Sequence, residues 1–194
     1  MQIVGFITSI IGLPAAIWFI IKIIRPQKNL SWKETKKGIT YLVAKTREIN
    51  PNYMITFSGR GDILASLILT ELDNKYPLYT CLLRRNHNKE YLKPTGWSCF
   101  TTSKWEVFVP DEVDKLLDKQ VLIIDDLTIS GETIKMLINY LQEKGMNRGN
   151  ITTMTLLSDE SVHRTTYIPT ISWKSVKISE YNVPWGKTKT NNMK

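Results

Sequence analysis

Hydrophobic residues in this chain come in two alternating patterns, short unbroken runs and stripes at helical spacing. Residues 53–57, Y-M-I-T-F, form one run, and Ile63, Leu64, Leu67, Ile68 and Leu72 then recur along one helix face. The local order is strand, glycine loop, helix. It returns when Val121, Leu122, Ile123 and Ile124 lead through a polar stretch to a stripe of Ile134, Leu137, Ile138 and Leu141 that closes at Gly145. Residues 78–83, 105–109, 151–157 and 171–178 read as further strands. Upstream, Ser31-Trp32-Lys33-Glu34 has capping-box form and predicts a helix to Ile49, weakened by Gly38 and broken by Asn50-Pro51-Asn52. Asp111 is expected to cap a short helix through Leu117, and the aperiodic, aromatic-dotted residues 84–103 predict a long loop. Strands alternating with helices predict an α/β domain whose mostly parallel sheet offers a ligand site at the strands' carboxyl ends.

A chain of 194 residues holds one globular domain and an appendage. Residues 3–21 carry no charge, and the apolar run resumes beyond Lys22 to end at Ile24. A run from Ile3 to Ile24 is long enough as a helix to cross the roughly 30 Å hydrocarbon layer. A cleavable signal peptide would want a basic stretch in front, where only Met1 and Gln2 stand. Lys22, Arg25, Lys28, Lys33, Lys36 and Lys37 follow the run against Glu34 alone, which by the positive-inside rule predicts a single-pass membrane protein, its N-terminus outside and its domain facing the cytoplasm. The expected organisation is an anchor over 1–25, a linker over 26–30, a domain over 31–186 and a basic tail over 187–194. The net charge of +8 suits anionic headgroups beside such an anchor, and no nucleic-acid recognition motif accompanies it. Cys81 and Cys99 have no metal-ligand spacing to His87 or His163 and read as two ordinary thiols.

The candidate chemistry lies in the two loops. The buried run of residues 121–124 delivers Asp125 and Asp126 to the sheet's carboxyl edge, and Thr128, Ser130, Gly131 and Thr133 follow at a helix N-terminus. Unpaired amides, the positive end of the helix dipole and hydroxyl donors together favour a phosphate there. Two carboxylates beside a phosphate call for something between them, and sugar hydroxyls with a hard cation such as Mg2+ fit that need. A P-loop is excluded, because G-x-x-x-x-G-K-[ST] occurs nowhere.

Residues 121–133, V-L-I-I-D-D-L-T-I-S-G-E-T, resemble the signature of type I phosphoribosyltransferases. Ser58, Gly59, Arg60 and Gly61 are similar to the pyrophosphate loop of the bacterial xanthine and guanine enzymes, and Asn182-Val183-Pro184-Trp185-Gly186 resembles their F-P-W-E ending. The resemblance implies a Rossmann-like, mostly parallel sheet with a small C-terminal hood. It implies transfer of phosphoribosyl from phosphoribosyl pyrophosphate to a nucleobase or related nitrogen nucleophile, with Mg2+, and, since relatives often pair, a homodimer. Asp125 and Asp126 would hold the ribose hydroxyls and, partly through water, Mg2+. The segment of Thr128, Ile129, Ser130, Gly131, Glu132 and Thr133 would cradle the 5′-phosphate, while residues 58–61 would take pyrophosphate. Tyr181, Val183 and Trp185 are the candidates for the base, and residues within 84–103 for a closing loop.

Two departures bear on the reaction. Ile129 stands where 6-oxopurine enzymes carry an aspartate that acts on the purine as acid or base, and an isoleucine cannot relay a proton. Asp62 stands where a second glycine is common and is expected to cap the following helix. Alongside the transferase, the sequence therefore supports a weak or inactive module that binds a ribose-phosphate ligand in a regulatory or defence role.

Overall fold

A computed structural model describes residues 28–86, 93–160 and 167–186. Among these residues lie nine strands and three α-helices: β1 (Lys28–Asn29), α1 (Trp32–Ile49), β2 (Tyr53–Phe57), α2 (Arg60–Thr70), β3 (Leu78–Arg85), β4 (Trp97–Thr101), β5 (Trp105–Pro110), β6 (Val121–Thr128), α3 (Glu132–Glu143), β7 (Ile151–Asp159), β8 (Ile171–Val176) and β9 (Tyr181–Asn182). The main sheet runs β4-β5-β3-β2-β6-β7-β8. Its five strands from β3 to β8 are mutually parallel, and β5 and β4 add an antiparallel edge.

Alternation along the central strands explains the layers. Met54, Leu122, Ile124, Met154 and Leu156 face α1 and α2, whereas Tyr53, Ile55, Phe57, Val121 and Ile123 face α3. A sheet covered on both faces wants apolar side chains at every position, so the strands read as unbroken runs. The Ser31/Glu34 capping box is formed in both directions. Gly38 sits at the contact of α1 with the sheet, where a Cβ would come within 2.6 Å of Leu156 and 2.7 Å of the Trp173 ring. The glycine that weakens the helix locally is what lets it lie close.

Several expectations change. Part of residues 84–103 is sheet: β3 continues to Arg85 and β4 pairs with β5 from Trp97 to Thr101, while residues 87–92 lie outside the described residues. The polar, aromatic pattern is that of a hairpin with one exposed face. The helix after Asp111 is a 3-10 turn over Asp111–Lys115, and Asp111 accepts from the Ser98 hydroxyl at 2.9 Å. Part of the expected linker belongs to the fold, since β1 pairs in parallel with β9, Leu30 N–H donates to Asn182 O at 2.9 Å, and the Leu30 side chain is buried.

The membrane placement is corrected as well. Among the described residues no helix is long and apolar enough to cross a membrane. The longest, α1, carries Lys33, Glu34, Lys36, Lys37, Lys45, Arg47 and Glu48 within its 18 residues. Residues 3–24, on which the single-pass, cytoplasm-facing expectation rested, lie outside the described residues, as does the basic tail over 187–194.

Candidate functional site

Pairing of β2 with β6 matches Thr56 to Ile124, so the loop after Phe57 begins beside the two acids that follow Ile124 within β6. Gly61 lies against this junction: a Cβ there would meet Thr56 Oγ1 at 2.8 Å and Asp125 Oδ1 at 3.4 Å. The glycine allows the first helical turn of α2 to pack directly on β6. Arg60 then reaches across, its Nε 3.4 Å from Asp126 Oδ2. Trp185, from the turn after β9, donates its indole N–H to the same oxygen at 3.3 Å. Gly186 completes the cluster, with the Arg60 stem 2.9 Å from where its Cβ would be.

The rest of the 58–61 loop is held from below. Ser58 Oγ accepts from Leu83 N–H at 2.8 Å, and Gly59 takes a φ of +97°. Asp62 accepts from Gly59 N–H at 3.2 Å and from Thr80 Oγ1 at 2.9 Å. Both its oxygens are thus engaged in capping α2 and tying it to β3, so the acid turns away from any anion bound by the loop.

The two central carboxylates differ. Asp126 is 3% exposed, and its Oδ1 accepts from Leu127 N–H at 2.9 Å while Oδ2 faces Trp185 and Arg60. Burial raises its pKa above the ordinary carboxylate value, and Arg60 opposes that shift. Asp125 is raised well above the ordinary carboxylate value, first by burial and then by the charge of Asp126; its Oδ1 accepts from Asp126 N–H at 2.9 Å. An acid raised by burial and a like neighbour is one that a cation would relieve. Asp125 therefore fits an Mg2+ ion that arrives with a phosphorylated ligand, since Mg2+ commonly takes one or two carboxylates plus substrate oxygens. Asp126 is already committed to N–H donors and a guanidinium. Among the described residues no group of three or more His, Cys, Asp or Glu side chains could hold a metal alone.

The segment after Asp126 is shaped by contacts that sequence reading did not foresee. Thr128 is buried at the end of β6, and Ile129 is 40% exposed. Gly131 has a φ of +72°, and a Cβ there would collide with the Tyr167 carbonyl. Tyr167 N–H donates to Ser130 O at 3.1 Å, and the Tyr167 hydroxyl meets Thr153 Oγ1 at 3.0 Å. On the other side, Glu132 accepts from Ser103 N–H and Oγ. Thr133 is partly buried in the first turn of α3. The cradle is gripped by a hairpin turn and by the segment entering β8. Among the described residues, Arg60 Nη1, Thr128 Oγ1 and Ser172 Oγ are buried side-chain polar atoms with no hydrogen-bond partner. Two of the three belong to the two candidate ligand loops.

The base candidates separate. Trp185 joins the acids, Val183 is 4% exposed within the core beneath α1 and α2, and Tyr181 is partly buried with Lys28 Nζ 5.6 Å from its ring centroid. Trp32 was not foreseen: its ring centroid lies 6.0 Å from that of Trp185. The sequence held a signal, a tryptophan at the first position of a capped helix, which has no reason to be there for packing within the helix itself.

No family model matches the chain. The transcriptional regulator GfcR of Methanococcus maripaludis is 29% identical over 89 residues, 46% of this chain and 37% of that protein, so the match spans little more than a third of the relative's length. Solved structures are similar over most of their length. A purine phosphoribosyltransferase of Pyrococcus horikoshii superposes with a TM-score of 0.62 at 22% identity, covering 82% of this chain and 94% of that one. A hypothetical protein of Neisseria gonorrhoeae with bound ppGpp gives 0.57 at 19% identity, covering 84% and 92%. The xanthine-guanine-hypoxanthine phosphoribosyltransferase of Helicobacter pylori gives 0.53 at 16% identity, covering 81% and 91%. The chain thus has the mostly parallel α/β fold of the purine phosphoribosyltransferases.

Proposed function

We propose that the chain binds phosphoribosyl pyrophosphate with Mg2+ across its two loops and transfers the phosphoribosyl group to a nitrogen of a nucleobase-like acceptor. The observation that carries the reading is the pair of buried, unpartnered polar atoms, Arg60 Nη1 and Thr128 Oγ1, one in each loop. A buried donor or hydroxyl without a partner costs about 1–3 kcal/mol, a cost that a ligand oxygen would remove. The fold shared with purine phosphoribosyltransferases supports the same reading.

In this reading Asp126, set by Leu127 N–H, Arg60 and Trp185, accepts from a ribose hydroxyl, and Asp125 accepts from the other. Arg60 and the amides around Gly59 and Gly61 hold the pyrophosphate. Thr128, the amides of residues 129–133 and the positive end of α3 hold the 5′-phosphate. Mg2+, held by Asp125 and ligand oxygens, would neutralise charge on the departing pyrophosphate. The acceptor nitrogen bonds to the ribose carbon as the bond to the pyrophosphate oxygen breaks, and the electron pair leaves with pyrophosphate. Ile129 can take no proton, so the acceptor proton passes to water or the acceptor reacts already ionised.

Ile129 also favours a second reading, in which the module binds the ligand without turning it over and serves regulation. The partial likeness to a protein named a transcriptional regulator agrees with it. Calorimetric titration of the 194-residue chain with phosphoribosyl pyrophosphate and Mg2+, followed by pyrophosphate release against a panel of nucleobases, separates the two. Micromolar binding with release supports the transferase, binding without release supports the regulatory module, and no binding defeats both.

A further inference from the structure

Away from the two ligand loops, a continuous chain of contacts joins residues 28–32 to the site. We propose that Trp32 is a positioning residue: packed against Trp185, it holds that indole N–H on the Asp126 carboxylate and so fixes the carboxylate's orientation. Its functional side rests on the ribose-phosphate reading above, and its structural side stands on geometry alone.

The chain begins with the capping box. Ser31 Oγ accepts from Glu34 N–H at 3.2 Å, and the Glu34 carboxylate accepts from Ser31 N–H at 3.3 Å, which fixes how the backbone enters α1 and hence where Trp32 points. The ring stays 60% exposed, yet it approaches Trp185 at 6.0 Å between centroids with the planes 52° apart. Such tilted aromatic pairs attract beyond their buried area. Trp185 itself rides on a tight turn. Gly186 N–H donates to Val183 O at 3.0 Å, Val183 is buried in the core, and Gly186 lies against the Arg60 stem.

That turn is brought beside Trp32 by the β1/β9 ladder, with Lys28 opposite Tyr181 and Asn29 opposite Asn182. Asn182 Nδ2 adds a bond to Asn29 Oδ1 at 3.0 Å. The backbone of residues 181–186 is therefore anchored, while the Trp185 ring remains free to rotate about its side-chain torsions. Asp126 meets its N–H edge, the core packs against part of the ring and Trp32 meets it from the α1 side, so the Trp32 contact is one of three that set the rotamer. Because Arg60 Nε approaches the same Asp126 oxygen, a Trp185 that swings away leaves the carboxylate to pivot toward the guanidinium. Arg60 would then be less available to pyrophosphate.

The test reads the Trp185 indole directly. In the full chain labelled with 15N-tryptophan, the Trp185 indole signal is assigned by its loss in Trp185→Phe, and its hydrogen exchange is followed. Trp32→Ala should speed that exchange roughly three- to tenfold, the loss expected of one aromatic contact, and weaken phosphoribosyl pyrophosphate binding by a similar factor. Trp32→Phe should restore both. Trp32→Leu serves in place of the alanine variant should that one fail to fold. Unchanged Trp185 exchange in the Ala or Leu variant would overturn the proposal. Faster exchange in a chain that binds no phosphoribosyl pyrophosphate would uphold the positioning role and defeat the ligand reading instead.

Discussion

Ser103 donates both its backbone N–H and its hydroxyl to the Glu132 carboxylate, at 2.7 and 2.8 Å. The bond pair joins the β4–β5 turn to the first residue of α3 and tethers a carboxylate beside the loop proposed to take the 5′-phosphate. Ser103→Ala should release one tether and let the carboxylate swing inward. The exposed setting reduces the 1.5–3 kcal/mol of a charge-assisted bond to about 1 kcal/mol, or roughly a fivefold loss of affinity for ribose 5-phosphate by calorimetry. Adding Glu132→Gln removes the repelling charge and should recover the loss. Equal affinities in all three proteins would mean the tether has no bearing on the cradle.

Gly131 tests the grip from the other side. Alanine there must hold a left-handed backbone and displace the Tyr167 carbonyl. Such strain costs about 1–3 kcal/mol, so the midpoint of thermal unfolding should fall by roughly 2–10 °C. A midpoint within 1 °C of the parent, on the order of a quarter to half a kcal/mol, would show that residues 167–170 do not seat on the loop as described.

Gly38→Ala sets two effects against each other. Alanine gains about 1 kcal/mol of helix propensity, while its Cβ would press on Leu156 and on the rigid Trp173 ring at 2.6 and 2.7 Å. Overpacking of a close contact costs about 1–3 kcal/mol. The clash should win, and urea denaturation should report a net loss; a more stable variant would contradict the α1 packing.

Asp125 links stability to pH. Its pKa is raised in the folded chain, so between the unfolded value and the raised value the folded state binds more protons. Stability therefore falls as pH rises through that window, and the full cost of the buried charge is present above it. With chelator present and no ligand, Asp125→Asn should melt several degrees higher than the parent at neutral pH, and the difference should shrink as pH falls toward 4. The same variant should lose affinity for phosphoribosyl pyrophosphate, separating a residue kept for a ligand from one kept for the fold. A neutral-pH midpoint at or below the parent's would reject the buried-charge account.

The layered fold was legible because its signals are local. Unbroken runs at residues 53–57 and 121–124 mark strands covered on both faces, and the stripe from Ile134 to Leu141 marks a helix with one buried side. The strand β4 within residues 84–103 was not legible, because an antiparallel edge with one wet face leaves alternating polar and aromatic residues that imitate a loop. In the candidate site, Asp125, Asp126, Arg60 and the loop glycines were chosen by residue type and order, and the fold sets them side by side. The clamps could not: Ser103, Tyr167 and Trp32 lie 29, 37 and 94 residues from Glu132, Ser130 and Asp126, and only tertiary pairing brings them near. Each difference follows from the residue numbers themselves.

The β1/β9 ladder carries a kinetic consequence. Asn29 and Asn182 stand 153 positions apart, whereas the central β2/β6 pairing closes a span less than half as long. Pairings between distant segments are the slow ones in folding. After dilution from denaturant, amides of β2 and β6 should gain protection before the Trp185 indole does, as pulsed hydrogen exchange can record. The sheet would then exist for a time with its two acids uncovered, and the candidate site would ripen only when β9 comes home to β1.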